Sequence, residues 1–193
     1  MESSGVIELL KRSEAFLSGH FVLASGLHSG NYLQCAAVFR FPDVSETLSR
    51  LLVETIHAAG LTFDVVVSPA LGGVLLGYEV SRQAGVPNLF AERDAQNRMS
   101  LRRGFSVRPG QRVLVVEDVV TTGGSVREVI ELVRSAGAAL AAVGCVADRS
   151  REPVDFGAPL FSLVKLDFPA YSPESCPQCL TGLPFEKPGT KRK

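Results

Sequence analysis

Apolar residues along the chain fall into two patterns: short unbroken runs, and longer segments in which they recur every three or four positions. The run Val113–Val116 is apolar without alternation, which is typical of a strand buried on both faces. Further along, Val126, Val129 and Val133 keep the spacing of one face of a helix. A strand that leads directly into a helix is therefore predicted here, and residues 64–84 repeat the arrangement.

The same two patterns predict the other elements. Strands are predicted at 87–91, 139–147 and 160–166, helices at 4–17 and 43–60, a small hairpin from 21–23 and 32–36, and a mobile basic loop at 92–104. Strands that alternate with helices imply right-handed crossovers, and so a mostly parallel α/β sheet flanked by helices. We expect a single domain over 1–193, with 61–150 as its core and 1–40 contributing a small hood.

The amino-acid composition argues against two classes of binding partner, nucleic acids and membranes. The chain has 193 residues, and 46% of them are hydrophobic, which is enough for one good core. Lys+Arg and Asp+Glu both number 20, and this zero net charge argues against a nucleic-acid partner. No apolar run approaches the roughly 20 residues that span a bilayer, and no signal peptide is evident. We expect a cytoplasmic protein without a membrane partner, whose terminal Lys191–Lys193 is a solvated tail.

The residues that follow the predicted strand Val113–Val116 are the candidate ligand-binding residues. Glu117 and Asp118 stand at the carboxyl end of that strand, where open α/β sheets bind ligands, and carboxylates there suit sugar hydroxyls or a Mg²⁺ shell. Residues 121–125, Thr-Thr-Gly-Gly-Ser, would present backbone N–H groups at a helix N-terminus, which suits a phosphate. No Lys follows the glycines, so the turn is not a Walker A loop.

The stretch Val113–Ser125 resembles the phosphoribosyl diphosphate (PRPP) signature of type I phosphoribosyltransferases. The resemblance implies that Glu117 and Asp118 hold the ribose hydroxyls and that the loop after them holds the 5-phosphate. The glycine turn at 70–73 matches the place of the family's pyrophosphate loop. The residues so assigned to PRPP are Ala70, Leu71, Gly72, Gly73, Glu117, Asp118, Val119, Val120, Thr121, Thr122, Gly123, Gly124 and Ser125.

Within that family the chain is most similar to the enzymes that act on orotate. The similarity lies in the hood segment 21–32, the loop 92–104 and the pair Asp148-Arg149. It implies transfer from PRPP to orotate in pyrimidine synthesis by a glycosyltransferase that is a homodimer, with the loop closing over the neighbouring subunit. Mg²⁺ would arrive with PRPP and have no direct protein ligand. The implied catalytic residues are Arg93 and Asp118, and the implied orotate-binding residues are Tyr32, Thr121 and Arg149.

Departures from the family pattern leave alternatives open. The enteric orotate enzymes carry lysines where this chain has Gly72 and Ala24, and the loop here has arginines in place of lysines and a histidine. Guanidinium groups can still clamp a diphosphate. Because the PRPP signature does not name the base, a purine or uracil phosphoribosyltransferase stays open. A PRPP-binding regulator without activity stays open as well.

The four cysteines are expected to be reduced thiols. Cys35 and Cys145 stand among apolar residues and are predicted to be core. Cys176 and Cys179 form one CxxC pair, which is half of a usual zinc site. We interpret the pair as thiols in preference to structural zinc, which would need ligands from elsewhere, such as Cys35 or His28. The three histidines are scattered, and none is assigned a catalytic role.

Overall fold

The computed structural model describes residues 3–188, in which strands and helices alternate over most of the chain. The strands are β1 (Phe16–Val22), β2 (His28–Leu33), β3 (Val65–Pro69), β4 (Asn88–Arg93), β5 (Met99–Leu101), β6 (Arg112–Val120), β7 (Ala139–Asp148), β8 (Leu160–Lys165) and β9 (Ala170–Tyr171). The helices are α1 (Ser3–Arg12), α2 (Pro42–Ala58), α3 (Gly72–Ala84), α4 (Gly124–Ser135) and α5 (Pro177–Leu180), with 3-10 turns at Cys35–Arg40 and Pro173–Ser175. No described helix is both long and apolar enough to cross a membrane. The basic tail at 191–193 lies outside the described residues.

The main sheet has six strands in the order β5-β4-β3-β6-β7-β8. Every neighbouring pair is parallel except β4 and β5, which confirms the predicted mostly parallel α/β fold. Val113 and Val115 of β6 join one core with α4, whereas Leu114 and Val116 join the other core with α2 and α3. Both faces of the strand are covered, and this explains why its apolar run shows no alternation.

A separate sheet of β1, β2 and β9 forms the hood. The predicted hairpin is present, but the helix predicted at 4–17 ends at Arg12, so its last turn was wrong. Ser13 Oγ donates to the carbonyls of Leu9 and Leu10, and Glu14 takes a positive φ of 58°, which turns the chain away from the helix axis. Phe16 then starts β1, where its ring packs edge-on against the ring of Phe168.

The segment 92–104, predicted as a mobile basic loop, is largely a hairpin in which β5 runs antiparallel to β4. Asp94 Oδ1 accepts the backbone N–H groups of Gln96 and Arg98 and so closes the turn. The side chain of Met99 is only 7% exposed and packs into the core beneath α4. That one buried side chain anchors an otherwise polar segment, and a count of apolar residues could not reveal it.

Candidate functional site

The turn between β6 and α4 encloses a cavity of about 260 Å³, which we call the phosphate cavity. Gly123 there has φ 74°, and a Cβ at that position would lie 2.8 Å from the Phe156 ring, so the turn requires glycine. Helix α4 begins at the next residue and directs its N-terminus into the cavity. Free N–H groups at a helix N-terminus favour an anion. The cavity is lined by Arg93, Glu117, residues 119–126 and Glu128.

Arg93 stands in the wall of this cavity, at the end of β4. Its Nη1 and Nη2 pair with the carboxylate of Glu128 at 3.0 and 2.8 Å, and Nη1 also donates to the Asn97 carbonyl at 2.6 Å. Glu128 raises the pKa of Arg93. Within the single chain Arg93 lines the phosphate cavity, and the predicted closure of its loop over a neighbouring subunit stays a prediction. Glu128 was missed, although it lies just beyond the first turn of the helix that follows the signature.

The acidic pair divides between two cavities. Successive strand residues point to opposite sides, so Glu117 lines the phosphate cavity while Asp118 lines a second cavity of about 710 Å³. Asp118 Oδ1 accepts the Val119 N–H at 2.8 Å. Burial raises the pKa of Asp118, and burial together with the neighbouring carboxylate raises the pKa of Glu117 to about 8. Hydroxyl donors or a cation would stabilise the ionised pair.

The second cavity, which we call the base cavity, has mostly apolar walls. Its polar groups include Asp118, Thr121 and Arg149, and Val119 and Thr121 also border the phosphate cavity, so the two cavities adjoin. A flat polar ring would fit between the apolar side chains and meet these groups at its edge. The lining residues are Leu33, Gln34, Cys35, Ala36, Phe39, Leu71, Gly72, Val74, Leu75, Asp118, Val119, Thr121 and Arg149.

Arg149 is the cation of the base cavity. Its guanidinium lies 4.7 Å over the ring of Phe168, which in turn packs edge-on against Phe16 of the hood. Burial lowers the pKa of Arg149. Within residues 3–188, Arg149 Nε is the only buried side-chain nitrogen without a hydrogen-bond partner. A buried, unpaired guanidinium nitrogen is costly, and an anionic ligand would satisfy it.

The glycine turn between β3 and α3, at residues 70–73, packs against the acidic pair Glu117 and Asp118. A Cβ at Gly72 would lie 3.0 Å from Asp118 Oδ1, and one at Gly73 would lie 3.0 Å from the Val116 carbonyl. Side chains at these positions would push the two turns apart. The sequence predicted both turns, and the structure brings them together at the carboxyl edge of the sheet.

Most of the predicted site residues line one of the two cavities, and three do not. Tyr32 does not line the base cavity, but its hydroxyl donates to Oε1 of Gln34, which does, at 3.3 Å. Ala70 and Gly73 support the turn through the backbone, and the Ala70 N–H donates to the Ala91 carbonyl at 2.7 Å. Cavity residues that the sequence did not indicate include Cys35, Phe39 and Leu75, which carry no local motif.

Comparisons with known proteins agree with this geometry. A model of the phosphoribosyl transferase domain matches residues 37–167, which is more than half of the chain. An orotate phosphoribosyltransferase of Caldanaerobacter subterraneus subsp. tengcongensis is 53% identical over 192 residues, covering 100% of both chains. An orotate phosphoribosyltransferase of Thermotoga maritima is 50% identical over 184 residues, covering 95% of this chain and 97% of the relative. Similarity at this level extends through the hood and the C-terminal segment.

A solved structure shares the fold. The crystal structure of orotate phosphoribosyltransferase from Aeropyrum pernix matches with a TM-score of 0.72 at 25% sequence identity. The match covers 83% of this chain and 93% of the other.

Proposed function

Because the chain belongs to the phosphoribosyl transferase family, we propose that it is an orotate phosphoribosyltransferase, which transfers the phosphoribosyl group of PRPP to orotate and releases diphosphate. The proposal of orotate as the base rests on the position of Arg149. Arg149 lines a cavity whose other walls are mostly apolar, as a flat ring with one carboxylate would require, and its buried Nε has no hydrogen-bond partner.

The two cavities suggest how the substrates lie. The 5-phosphate is held by the N–H groups at the start of α4, and orotate occupies the base cavity with its carboxylate towards Arg149. The ribose lies where the cavities adjoin, between the carboxylates of Glu117 and Asp118. The diphosphate then leaves beside the turn at 70–73, which faces Asp118.

In the proposed reaction, the bond between ribose C1 and the diphosphate oxygen breaks as a bond forms between C1 and a ring nitrogen of orotate. Positive charge develops on the sugar as in other glycosyl transfers. The protein contributes position and charge: Glu117 and Asp118 hold the ribose hydroxyls, and Arg93 balances the departing diphosphate. The orotate nitrogen is acidic enough to need no strong base.

Mg²⁺ belongs to this proposal as a companion of PRPP. Glu117 and Asp118 fit it because paired carboxylates with raised pKa values favour a cation nearby, and carboxylate oxygens are ligands that Mg²⁺ accepts. When bound, the ion would neutralise charge on the diphosphate. Glu117 and Asp118 act on the ribose, with the ion held chiefly by the substrate.

A base panel tests the proposal. PRPP-dependent release of diphosphate is measured with orotate, uracil, adenine, guanine and xanthine at equal concentration. We expect turnover with orotate to exceed that with every other base, because only orotate places a carboxylate against Arg149. Faster turnover with a purine or with uracil would replace the proposed base. Binding of PRPP without turnover on any base would favour a regulator.

Arg93→Ala is expected to raise the KM for PRPP by about tenfold and to leave the KM for orotate nearly unchanged. The reason is that Arg93 lines the phosphate cavity and not the base cavity, and a charge-assisted hydrogen bond contributes roughly 1.5–3 kcal/mol. Steady-state kinetics with each substrate varied in turn measures the split. The matched control is Arg98→Ala in the turn of the same hairpin, where Arg98 pairs with Asp94 and does not line this cavity.

A homodimer is part of the proposal. It is supported by the exposed apolar side chains of Leu71, just before α3, and of Leu75 and Tyr78 on that helix, which are 88%, 54% and 59% accessible. Since Arg93 and Asp118 border the adjoining cavities of one chain, mixing Arg93→Ala with Asp118→Asn subunits should restore no activity beyond that of the separate variants. Restored activity would mean that the arginine acts in the neighbouring site.

A further inference from the structure

Two histidines and two cysteines meet in the hood, outside the phosphate and base cavities. His20 lies on β1, His28 begins β2, and Cys176 and Cys179 lie at and within α5 near the C-terminus. Their ligand atoms all lie within 4.8 Å of one another. His20, His28 and Cys176 are buried, and Cys179 is half-buried. The sequence offered only a CxxC pair, and folding of the hairpin supplies the two nitrogen ligands that the pair lacked.

The separations match a tetrahedral zinc site. Zn–S bonds of about 2.3 Å and Zn–N bonds of about 2.0–2.1 Å place a nitrogen and a sulfur about 3.5 Å apart around one ion. His20 Nε2 lies 3.5 Å from Cys176 Sγ and 3.6 Å from Cys179 Sγ, and His28 Nδ1 lies 3.2 Å from Cys179 Sγ. The two nitrogens, 2.8 Å apart, need to separate by only about 0.5 Å to reach the tetrahedral spacing.

A hydrogen bond on the far side of His20 directs its lone pair into the cluster. His20 Nδ1 lies 2.7 Å from the Leu183 carbonyl oxygen. A carbonyl can only accept, so Nδ1 must carry the proton and Nε2 is left with its lone pair towards the cysteines. Histidine ligands of zinc are held in this manner by a backbone carbonyl on their other nitrogen.

The C-terminal segment has little else to hold it against the hood. Between residues 171 and 188, all of which the structure describes, Cys176 is the only buried residue. Leu180, Leu183 and Phe185 remain 78%, 46% and 53% exposed. The backbone contacts of this segment with the hood are the short β9 pairing and a bridge between Phe21 and Glu186. A segment that buries so little apolar surface gains stability from a cross-link.

We propose that His20, His28, Cys176 and Cys179 bind one structural Zn²⁺ ion that fastens the C-terminal segment to β1 and β2. A closed set of two thiolates and two imidazoles is typical of structural zinc, whereas a catalytic zinc keeps an open position. The ion replaces the thiol protons, which are released on binding. The site is independent of the proposed function, since none of its four ligands lines the phosphate or base cavity.

Metal analysis of the purified full-length chain is the first test. The protein is prepared with a thiol reductant and without added chelator, and its metals are measured by mass spectrometry. We expect stoichiometric zinc in the wild type and its loss in Cys179→Ser and in His20→Gln. The matched controls are Cys145→Ala, a buried cysteine outside the cluster, and His57→Gln, a histidine on α2; both should retain zinc. Zinc retained at the wild-type level in both ligand variants, or no zinc in the wild type, would overturn the proposal.

Cobalt substitution tests the geometry of the site in the wild type, with Cys179→Ser for comparison. Co²⁺ added to the reduced, metal-free wild type should give the intense visible bands of a tetrahedral site and a thiolate charge-transfer band, and Cys179→Ser should weaken the latter. Chelation should also lower the melting temperature of the wild type and leave that of Cys179→Ser unchanged. A metal-free protein that takes up neither Zn²⁺ nor Co²⁺, or whose Cys176 and Cys179 form a disulfide on purification, would overturn the proposal.

Discussion

Asp118→Asn and Glu117→Gln are each expected to lower turnover by about ten- to a hundredfold, because each removes a charge-assisted hydrogen bond to the ribose that is worth roughly 1.5–3 kcal/mol. Both carboxylates stand at the carboxyl end of β6 and border the cavities. Neither side chain belongs to a core cluster. The substitutions keep side-chain size, so circular dichroism should show an unchanged fold.

Glu117→Gln should also stabilise the protein without substrate. Burial raises the folded-state pKa of Glu117 to about 8 from an ordinary value of 4.5. The stability that comes from holding this proton is fully present below about pH 4.5 and is lost as pH rises through about 8. Gln cannot ionise, so the variant should be more stable than the wild type by about 1–3 kcal/mol above that pH and close to it in mild acid. Thermal unfolding across this pH window measures the difference.

The control for both variants is Asp64→Asn, which removes an exposed carboxylate just before β3, paired with Arg112 at the opposite edge of the sheet. It should leave turnover unchanged. Wild-type kinetics in both Asp118→Asn and Glu117→Gln would show that the acidic pair does not hold the ribose, and the placement of PRPP would have to be withdrawn.

The parts of the site that one continuous stretch encodes could be predicted from the sequence. In Val113–Ser125 the buried strand, the acidic pair and the glycine turn follow one another, so local preferences place them without knowledge of the rest of the fold. The α/β alternation predicted the sheet for the same reason. Arg149 was also predicted, but from the resemblance of the pair Asp148-Arg149 to the orotate enzymes; the structure places it directly after β7, which pairs with β6.

Features that depend on distant contacts could not be predicted. The ion pair of Arg93 with Glu128 joins the end of β4 to helix α4, and nothing in the sequence around either residue indicates the other. Phe16 kept the helical spacing of α1, but its place in β1 follows from the positive φ of Glu14 and from contact with Phe168, far along the chain. The histidines looked scattered in the sequence. His20 and His28 come together only because β1 pairs with β2.

Arg149→Ala is expected to raise the KM for orotate by about ten- to a hundredfold and to change the KM for PRPP much less. The guanidinium borders the base cavity, its Nε has no protein partner, and an orotate carboxylate there would supply the missing acceptor. Loss of a charge-assisted pair costs roughly 1.5–3 kcal/mol, and a carboxylate left without a partner among apolar walls adds to that loss. The exposed Arg50, paired with Glu54 on α2, provides the control Arg50→Ala, which should change neither KM.

Uracil separates a lost carboxylate contact from a general disturbance of the cavity, because uracil is the orotate ring without the carboxylate. If Arg149 recognises that group, Arg149→Ala should lower kcat/KM for orotate by about ten- to a hundredfold and leave the weak kcat/KM for uracil almost unchanged, so the preference between the two bases collapses. A cavity that had merely loosened, through loss of the stacking between Arg149 and Phe168, would lower both values together. Equal losses for orotate and uracil, or equal changes in the KM for orotate and for PRPP, would place the carboxylate site elsewhere in the cavity.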